Sequence, residues 1–370
     1  MRRVLLTGGA GFIGSHVADL LLAEGHDVRV LDALAEQVHS VAGRPSYLAP
    51  EVELVQGDVR DVDAVSRALT GVDAVVHLAA AVGVGQSMYR IVDYTTVNEV
   101  GTAVLLEALA ERPVERVVVA SSMSVYGEGL AKDRDGRVVA PVERSAERLR
   151  RGEWELVGEG GEDLSPVPTP EGKRPDLSSI YALGKYAQER MALIWGRTYG
   201  VPVTALRFFN VYGTRQALSN PYTGVLAIFA SRLLNGRAPM VFEDGLQRRD
   251  FVHVHDVARA CLAALTRSEA AGLAVNIGSG ESRTINEVAG RLAAAVGRAD
   301  LAPEVTGKYR AGDIRHCFGD VGLAREVLGW EPREDFQAGL EELANWLEGE
   351  VAVDRVDAAT DELRARGLVA

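Results

Sequence analysis

Short apolar runs alternate with amphipathic segments along the first half of the chain. Runs bounded by glycine or polar residues predict buried strands, and segments whose apolar residues recur three and four positions apart predict helices. The predicted strands are Val4–Thr7, Val28–Asp32, Val52–Gln56, Ala74–His77 and Val117–Ser121, and the predicted helices are 12–24, 61–69 and 94–111. This alternation predicts an α/β fold, a doubly wound parallel sheet with helices on both faces.

The second half of the chain continues the alternation. Its predicted helices are 182–198, 222–236, 256–266, 284–297 and 336–348, and its predicted strands are Val203–Arg207, 240–243 and Ala274–Ile277. A chain of 370 residues is long for one compact core, so we expect a large domain and a smaller one. We assign the large domain to 1–202, a smaller mixed α/β region interleaved with it to 203–349, and a helical tail to 350–370.

The stretch 128–176 interrupts this rhythm. It is rich in Arg, Glu, Gly and Pro, and the charge is densest from Arg144 to Arg151. We interpret it as an insertion. A solvated, partly helical excursion and a lid or oligomer contact are both compatible with this composition.

Composition argues against several classes of protein. The net charge of −12 disfavours binding to nucleic acid or to an anionic membrane. The first strand begins without a secretory apolar region, and no stretch has the roughly 18 apolar residues of a membrane span. Two cysteines, Cys261 and Cys317, are too few for a disulfide framework or a thiolate metal site. We therefore expect a cytoplasmic protein.

A glycine loop follows the first predicted strand and opens the first helix. Its spacing, Gly8-x-x-Gly11-x-x-Gly14, is typical of a Rossmann-type site where a dinucleotide pyrophosphate rests on a helix N-terminus. Asp32 ends the next strand, where a carboxylate accepts hydrogen bonds from the adenine ribose and repels a 2′-phosphate. The loop and Asp32 together favour NAD over NADP, although a glycine-rich turn and a capping aspartate are the plainer alternatives.

Two further strand ends carry polar residues. Asp58 follows the third strand at the edge where such sheets bind ligands, so it is a candidate adenine contact. His77 ends the fourth strand before the small residues Ala79 to Ala81, which permit close approach of a ligand. We interpret His77 as structural.

Three residues are candidates for proton transfer. Ser122 ends the fifth strand, and Tyr181 and Lys185 share one face of a predicted helix because they are four positions apart. An ammonium beside a phenol favours the phenolate, so we expect Lys185 to lower the pKa of Tyr181 toward neutrality. Such a phenol can exchange a proton with a substrate hydroxyl.

In this order, the glycine loop, Asp32, Ser122, Tyr181 and Lys185 resemble the short-chain dehydrogenase/reductase superfamily. The chain length and later motifs are similar to its extended branch, the nucleotide-sugar epimerases and dehydratases. The resemblance implies Ser122, Tyr181 and Lys185 as catalytic residues. It also implies NAD contacts from Gly8, Gly11, Phe12, Ile13, Gly14, Asp32, Asp58, Val59, Leu78, Ala79, Ala80, Asn98, Ser121, Tyr181, Lys185 and Phe208.

Three segments of the second half resemble the family's substrate motifs. They are Arg207–Gly213, Gln247–Asp256 and Tyr309–Asp313. The resemblance implies that arginines bind the diphosphate, Asp313 the ribose and an aromatic residue the base. With the apolar loop after the fourth strand, the implied substrate contacts are Val82, Gly83, Val84, Ser122, Ser124, Asn210, Phe242, Arg249, Arg310 and Asp313. We interpret Asn276–Gly280 and Leu328–Trp330 as structural, with Trp330 packing the small domain.

The residues after Ser122 bear on the reaction. The family's dehydratases carry an Asp-Glu pair there, and its decarboxylases keep the Glu, whereas this chain has Met123 and Ser124. We therefore expect C4 epimerisation through a transient 4-keto sugar. A ketoreductase, a dehydratase or a non-catalytic NAD-binding regulator are the alternatives.

The expected substrate is a UDP- or dTDP-linked hexose or 6-deoxyhexose, since no basic residue lies between Val82 and Gln86 to pair with a sugar acid. Relatives commonly dimerise through two helices of each subunit. The resemblance thus implies a homodimer built on helices 94–111 and 182–198.

Overall fold

A computed structural model describes residues 2–39, 43–222, 224–310 and 312–370. Its first half contains strands β1 (Arg3–Thr7), β2 (Asp27–Asp32), β3 (Glu53–Gln56), β4 (Ala74–His77), β5 (Arg116–Ser122), β6 (Ala131–Lys132), β7 (Val138–Val139) and β8 (Ser165–Pro166). Its helices are α1 (Phe12–Ala23), α2 (Val62–Ala68), α3 (Val84–Ser87), α4 (Ile91–Thr95), α5 (Gly101–Glu111), α6 (Ala146–Arg150) and α7 (Ile180–Tyr199). A π-helical turn, Thr96–Val100, joins α4 to α5, and a 3₁₀ turn, Met123–Tyr126, follows β5.

The second half contains more short strands than the sequence predicted. They are β9 (Val203–Phe208), β10 (Asn210–Tyr212), β11 (Met240–Val241), β12 (Arg248–Arg249), β13 (Phe251–His253), β14 (Ala274–Ile277), β15 (Arg283–Thr284), β16 (Glu304–Val305) and β17 (His316–Cys317). The helices are α8 (Val225–Leu234), α9 (Val254–Thr266), α10 (Ile285–Ala295), α11 (Gly322–Leu328), α12 (Phe336–Leu347) and α13 (Val356–Ala365). The helix predicted from 222 includes Thr223, which lies outside the described residues.

Seven parallel strands form the central sheet in the order β14-β9-β5-β4-β1-β2-β3. The order reverses between β1 and β4, which opens a crevice at the carboxyl ends of these strands. The predicted Rossmann-type doubly wound sheet is confirmed. Since β9 and β14 pair beside β5, the sheet draws strands from both halves of the chain.

Each face of the sheet is covered by helices. One face packs against α1, α9 and α11, and the other against α2, α5 and α7. A separate apolar cluster joins α8, α10 and α12. Trp330 is buried in the first of these clusters, and its indole N–H donates to the Asp256 carbonyl (2.9 Å). Asp256 belongs to the region 203–349, and the cluster also contains residues of the central sheet, so Trp330 packs part of this region against the sheet.

The insertion 128–176 is folded against the body of the protein. It forms a three-stranded sheet, β7-β6-β8, and its Leu149, Leu156 and Leu164 are buried. Arg144 is buried as well, and its Nη1 lies 2.8 Å from Glu243 Oε1. The charged residues of the insertion therefore include an internal ion pair as well as groups on the solvated surface.

The tail contains α13 and ends in extended chain against Arg310. Within the described part of the chain, no helix combines the length and apolar character that crossing a bilayer requires.

Candidate active site

The glycine loop between β1 and α1 has little room for side chains. Gly8 has a φ of +69°, and a Cβ on it would lie 2.8 Å from the backbone of Ala79. A Cβ on Gly14 would lie 2.5 Å from Gly9 Cα. Gly11 precedes α1, and among the described residues no side chain caps this helix there. The half-buried Phe12 and Ile13 begin the helix, so its first backbone N–H groups are available to a phosphate.

Asp32 ends β2 beside this loop and is 9% exposed. Its Oδ2 accepts a hydrogen bond from the Ala10 N–H (3.0 Å), and its Oδ1 accepts one from the Leu34 N–H (2.9 Å). The open helix N-terminus and the adjacent carboxylate fit the pyrophosphate and adenine ribose of NAD. The charge of Asp32 opposes the 2′-phosphate of NADP.

Asp58 lies at the carboxyl end of β3 but is already in an ion pair. Its two oxygens accept hydrogen bonds from Arg60 Nε (2.9 Å) and Nη2 (2.6 Å), which hold the pKa of the carboxyl below its usual value. The neighbouring Val59 is buried, and its Cγ1 would lie 2.5 Å from a Cβ on Gly101. Val59 therefore packs on the start of α5, and Asp58 would share any adenine contact with Arg60.

Asn98 fixes the loop that follows β4. It lies in the π-helical turn, where its Oδ1 accepts from the Ala81 N–H (2.7 Å) and its Nδ2 donates to the Ala81 carbonyl (3.1 Å). The preceding residues Leu78, Ala79 and Ala80 are half-buried beside the glycine loop. Asn98 itself is fully buried, so its predicted part in NAD binding would act through this loop.

A chain of buried hydrogen bonds connects the end of β1 to Lys185. His77 bonds Thr7 Oγ1 through Nδ1 (2.6 Å) and Thr102 Oγ1 through Nε2 (2.9 Å). Gln188 Nε2 donates to Thr102 Oγ1 (2.9 Å), and Gln188 Oε1 accepts from Lys185 Nζ (2.8 Å). Burial lowers the pKa of His77 to about 3, so this imidazole is neutral and structural, as the sequence indicated.

Ser122 and Tyr181 meet at the carboxyl end of β5. Ser122 Oγ accepts from the Ser124 N–H (3.2 Å) and hydroxyl (2.9 Å), and it is close enough to the phenol of Tyr181 to lower the pKa of that phenol. The Tyr181 N–H, near the start of α7, donates to Ser87 Oγ (3.1 Å). Ser124 is 5% exposed, so it supports Ser122 and does not face open solvent.

Burial raises the pKa of the Tyr181 phenol, and the neighbouring Ser122 hydroxyl lowers it by less. The expected lowering by Lys185 is therefore wrong for this structure. Lys185 is 3% exposed, and burial lowers the pKa of its amine to about 7 against the opposing effect of Glu189. The charge of the lysine was expected to outweigh desolvation, whereas in the folded protein the desolvation has the larger effect on both groups.

An ion pair behind the site stabilises α7. Arg207 Nη2 lies 2.7 Å from Glu189 Oε1, and Ser121 Oγ donates to Glu189 Oε2 (2.7 Å). Ser121 is 3% exposed and the next strand's Phe208 is 7% exposed. The hydroxyl of Ser121 therefore holds the helix to the sheet, which leaves its backbone as the part that could face NAD.

The second half contributes polar groups without protein partners. Asn210 Oδ1 and Arg310 Nε are buried atoms with no hydrogen-bond partner among the described residues. The Arg310 guanidinium stacks on Phe242, with Cζ 4.8 Å from the ring centroid. Unsatisfied buried polar atoms are costly, which makes them candidates for contact with a polar ligand.

Arg249 and Asp313 lie near these residues but are partly engaged. Arg249 Nη1 donates to the carbonyls of Arg248 (3.0 Å) and Arg315 (2.9 Å), and Nη2 donates to the Ile314 carbonyl. Arg249 Nη2 is 3.7 Å from Asp313 Oδ1. In this structure Arg249 orders the 313–315 segment, so its predicted diphosphate contact would use its remaining donors.

The predicted sugar-facing loop is the most open part of the site. Val82 and Val84 are exposed, whereas Gly83 is buried with a φ of +136°. A Cβ on Gly83 would lie 2.9 Å from the Tyr94 hydroxyl and 3.0 Å from Tyr222 Cβ. Glycine is thus required where the loop passes between two tyrosines.

Comparison with known proteins identifies the family. The model of the NAD dependent epimerase/dehydratase family matches residues 4–146 and 155–278. The chain belongs to this family. The gap between the two matched segments, residues 147–154, lies inside the insertion, close in sequence to the buried Arg144.

Similar family members perform more than one reaction. The chain is 36% identical to the dTDP-L-rhamnose 4-epimerase of Burkholderia thailandensis over 95% of its length and 96% of that protein. It is 31% identical to the dTDP-glucose 4,6-dehydratase of Streptomyces niveus over 93% of its length and 92% of that protein. The structure of Thermus thermophilus UDP-glucose 4-epimerase with NAD is also similar, with 34% identity and a TM-score of 0.73. The alignment spans 94% of this chain and 100% of that one.

Sequence reasoning missed several residues that support this family's site. Gln188, which holds Lys185, and Glu189 follow the Tyr181-x-x-x-Lys185 pattern on the same helix. Helical spacing from Lys185 could have identified both. The contacts of Arg144 and of the tail join residues far apart in sequence, and no local pattern indicates them.

Proposed function

We propose that this chain is a nucleotide-sugar 4-epimerase that inverts C4 of a UDP- or dTDP-linked hexose or 6-deoxyhexose and retains its NAD. The observation that carries the proposal is the placement of Ser122, which lowers the pKa of the Tyr181 phenol, and of the buried Lys185 on the helix that carries Tyr181, at the sheet edge that presents the glycine loop. A substrate hydroxyl that binds next to the Tyr181 phenol can exchange a proton with it.

Tyr181 takes the proton of the sugar 4-hydroxyl and later returns it. Ser122 lowers the pKa of the phenol, and the Ser124 hydroxyl holds Ser122 through a hydrogen bond. Lys185, whose pKa is about 7, supplies positive charge that favours the phenolate when it is protonated. Bound NAD supplies the acceptor and donor of the C4 hydride.

The same residues argue against dehydration. Elimination of water needs an acid and a base beyond the tyrosine. The two positions after Ser122 are Met123 and Ser124, 8% and 5% exposed, and neither side chain is an acid or base at neutral pH. A reversible oxidation at C4 needs only the groups around Tyr181.

Substrate binding relies on the second half of the chain. Arg310 and Arg249 supply positive charge for the diphosphate, Phe242 a surface for the base, Asp313 a ribose acceptor and Asn210 an amide toward the sugar. The exposed apolar Val82 and Val84 leave space for the 4-keto sugar to present its other face.

We also propose a homodimer and a cytoplasmic location. Helices α5 and α7 pack side by side, and the surface they share with α4 and the π-helical turn exposes Val92, Val100, Leu183 and Ile194. Exposed apolar patches of this kind are typical of subunit interfaces. The free, buried cysteines Cys261 and Cys317 suit a reducing compartment.

The test is incubation of the purified protein, without added NAD, with UDP- and dTDP-linked hexoses and 6-deoxyhexoses, followed by proton NMR of the C4 position. We expect one class to be inverted, and Tyr181→Phe to reduce the rate by roughly 10²- to 10⁴-fold. Tyr199→Phe, at the exposed end of the same helix, is the control. A reaction that consumes added NADH, or near-normal turnover of Tyr181→Phe, would contradict the proposal.

A further inference from the structure

The tail, residues 350–370, packs on two segments that the proposed function assigns to the nucleotide sugar. Leu363 of α13 is 4% exposed, and its Cδ1 would lie 3.3 Å from a Cβ on Gly85, directly after Val84. A small cavity lies between the tail, the Val84 loop and the Arg310 segment, and Leu363 and Leu368 both line it.

The end of the tail is hydrogen-bonded along the segment that carries Arg310. The Tyr309 N–H donates to the Ala370 carbonyl (3.0 Å), and the Ala370 N–H donates to the Tyr309 carbonyl (3.1 Å). Arg310 and Val369 are antiparallel partners. The last residues therefore help to fix the backbone from which Arg310 reaches Phe242.

A polar cluster fastens the tail on its other side. Glu362 Oε2 accepts hydrogen bonds from the hydroxyls of Tyr89 and Tyr222, each at 3.0 Å, and the two hydroxyls are 2.7 Å apart. The Arg366 guanidinium lies over the Tyr89 ring, 4.2 Å from its centroid. Hydrogen bonds to a carboxylate are stronger than neutral ones, so this cluster holds α13 against the loop.

We propose that the tail is the outer wall of the nucleotide-sugar pocket, and that Leu363 and Leu368 select sugars whose outer edge is apolar and uncharged. A 6-deoxyhexose, which has a methyl group at C5, gains contact with this wall. A hexuronic acid would lose the hydration of its carboxylate against the two leucines, and Arg310, which also lines this cavity, is engaged by the diphosphate in the proposed function. The inference rests on the proposed function, which gives the pocket its ligand.

Tryptic cleavage of the wild-type protein tests the wall. Arg364 and Arg366 are exposed cleavage sites in the tail. With dTDP or UDP bound in the pocket, we expect cleavage after these arginines to slow at least fivefold. Nucleotide binding by calorimetry without any protection would overturn the inference and leave the proposed function intact. If neither nucleotide binds, both fail.

Selectivity tests the two leucines. We expect the wild type to prefer a dTDP-6-deoxyhexose over the matching dTDP-hexose in kcat/KM and to leave a dTDP-hexuronic acid unchanged. Leu363→Ala should reduce the ratio of kcat/KM for the 6-deoxyhexose to kcat/KM for the hexose by about tenfold. This is the contribution of a methyl-sized contact in an apolar pocket. Val353→Ala, an apolar truncation at an exposed position of the same tail, is the control. Leu368→Ala repeats the test if Leu363→Ala does not fold. An unchanged ratio, or turnover of the hexuronic acid, would overturn the inference.

The polar cluster around Glu362 has its own test. Glu362→Gln keeps the shape of the side chain but removes the charge that Tyr89 and Tyr222 bond, so the tail should be held less firmly. We expect a severalfold rise in KM for the nucleotide sugar with little change in kcat, and faster tryptic cleavage of the tail. Asp361→Asn, on the exposed face of α13, is the matched control. A fall in kcat at constant KM, or no change in either readout, would contradict the tail as a wall of the pocket.

Discussion

At the scale of single residues, the site combines a phenol and an amine whose pKa values burial moves apart. The pKa of Tyr181 is raised and that of Lys185 falls to about 7. Both shifts disfavour the charged form of the group concerned, because both groups are buried.

The burial of Lys185 predicts a particular dependence of stability on pH. Below about pH 7 Lys185 is charged in both the folded and the unfolded protein, so the full cost of burying this charge reduces the free energy of unfolding. Between about 7 and the ordinary value of 10.5 only the unfolded form keeps the proton, so the free energy of unfolding should rise with pH. Denaturant titrations of Lys185→Met should show a flatter rise than the wild type. The exposed Lys132→Met should behave like the wild type, and equal slopes for all three proteins would contradict a buried Lys185.

At the scale of elements, the insertion supports the substrate half of the site. Arg144 Nη1 pairs with Glu243, the residue after Phe242, and its Nη2 donates to the Asp313 carbonyl (2.7 Å). Glu243 also pairs with the fully buried Arg315. The insertion therefore braces the segments that present Phe242 and Asp313.

Removing one member of this network should be costly. Arg144→Met removes one of the arginines that pair with Glu243, so the buried carboxylate is only partly compensated. We expect a loss of about 3 kcal/mol in the free energy of unfolding. Arg134→Met breaks an exposed ion pair with Asp163 in the same insertion and should cost less than about 1 kcal/mol. Urea titrations measure both. Equal effects would mean that the insertion is solvated throughout.

The elements themselves followed largely from the sequence, because the central strands are short apolar runs between glycine or polar residues. Strands β4 and β14 match their predicted bounds, and Gly8, Asp32, Ser122 and Tyr181 meet at one edge because parallel strands end together. The predicted lowering of the Tyr181 pKa was wrong because the burial of a side chain depends on the assembled fold. The surroundings of Arg144 and Trp330 were not predictable, since their partners come from distant parts of the chain.

At the scale of the whole molecule, the apolar surface of α4, α5 and α7 predicts association. Val100→Glu places a charge in this surface, so light scattering should detect a shift from dimer to monomer. Val351→Glu changes a valine that is 89% exposed in the tail and should leave the mass unchanged. A monomeric wild type would contradict the proposed homodimer.

The central claim is that one hydride leaves C4 and returns to the same carbon within one protein molecule. The most direct test is epimerisation of a nucleotide sugar that carries deuterium at C4, with the product followed by NMR and mass spectrometry. Our account predicts that the epimer keeps the deuterium at C4, whether or not unlabelled NADH is added. Loss of the label to water or to the added cofactor would contradict it.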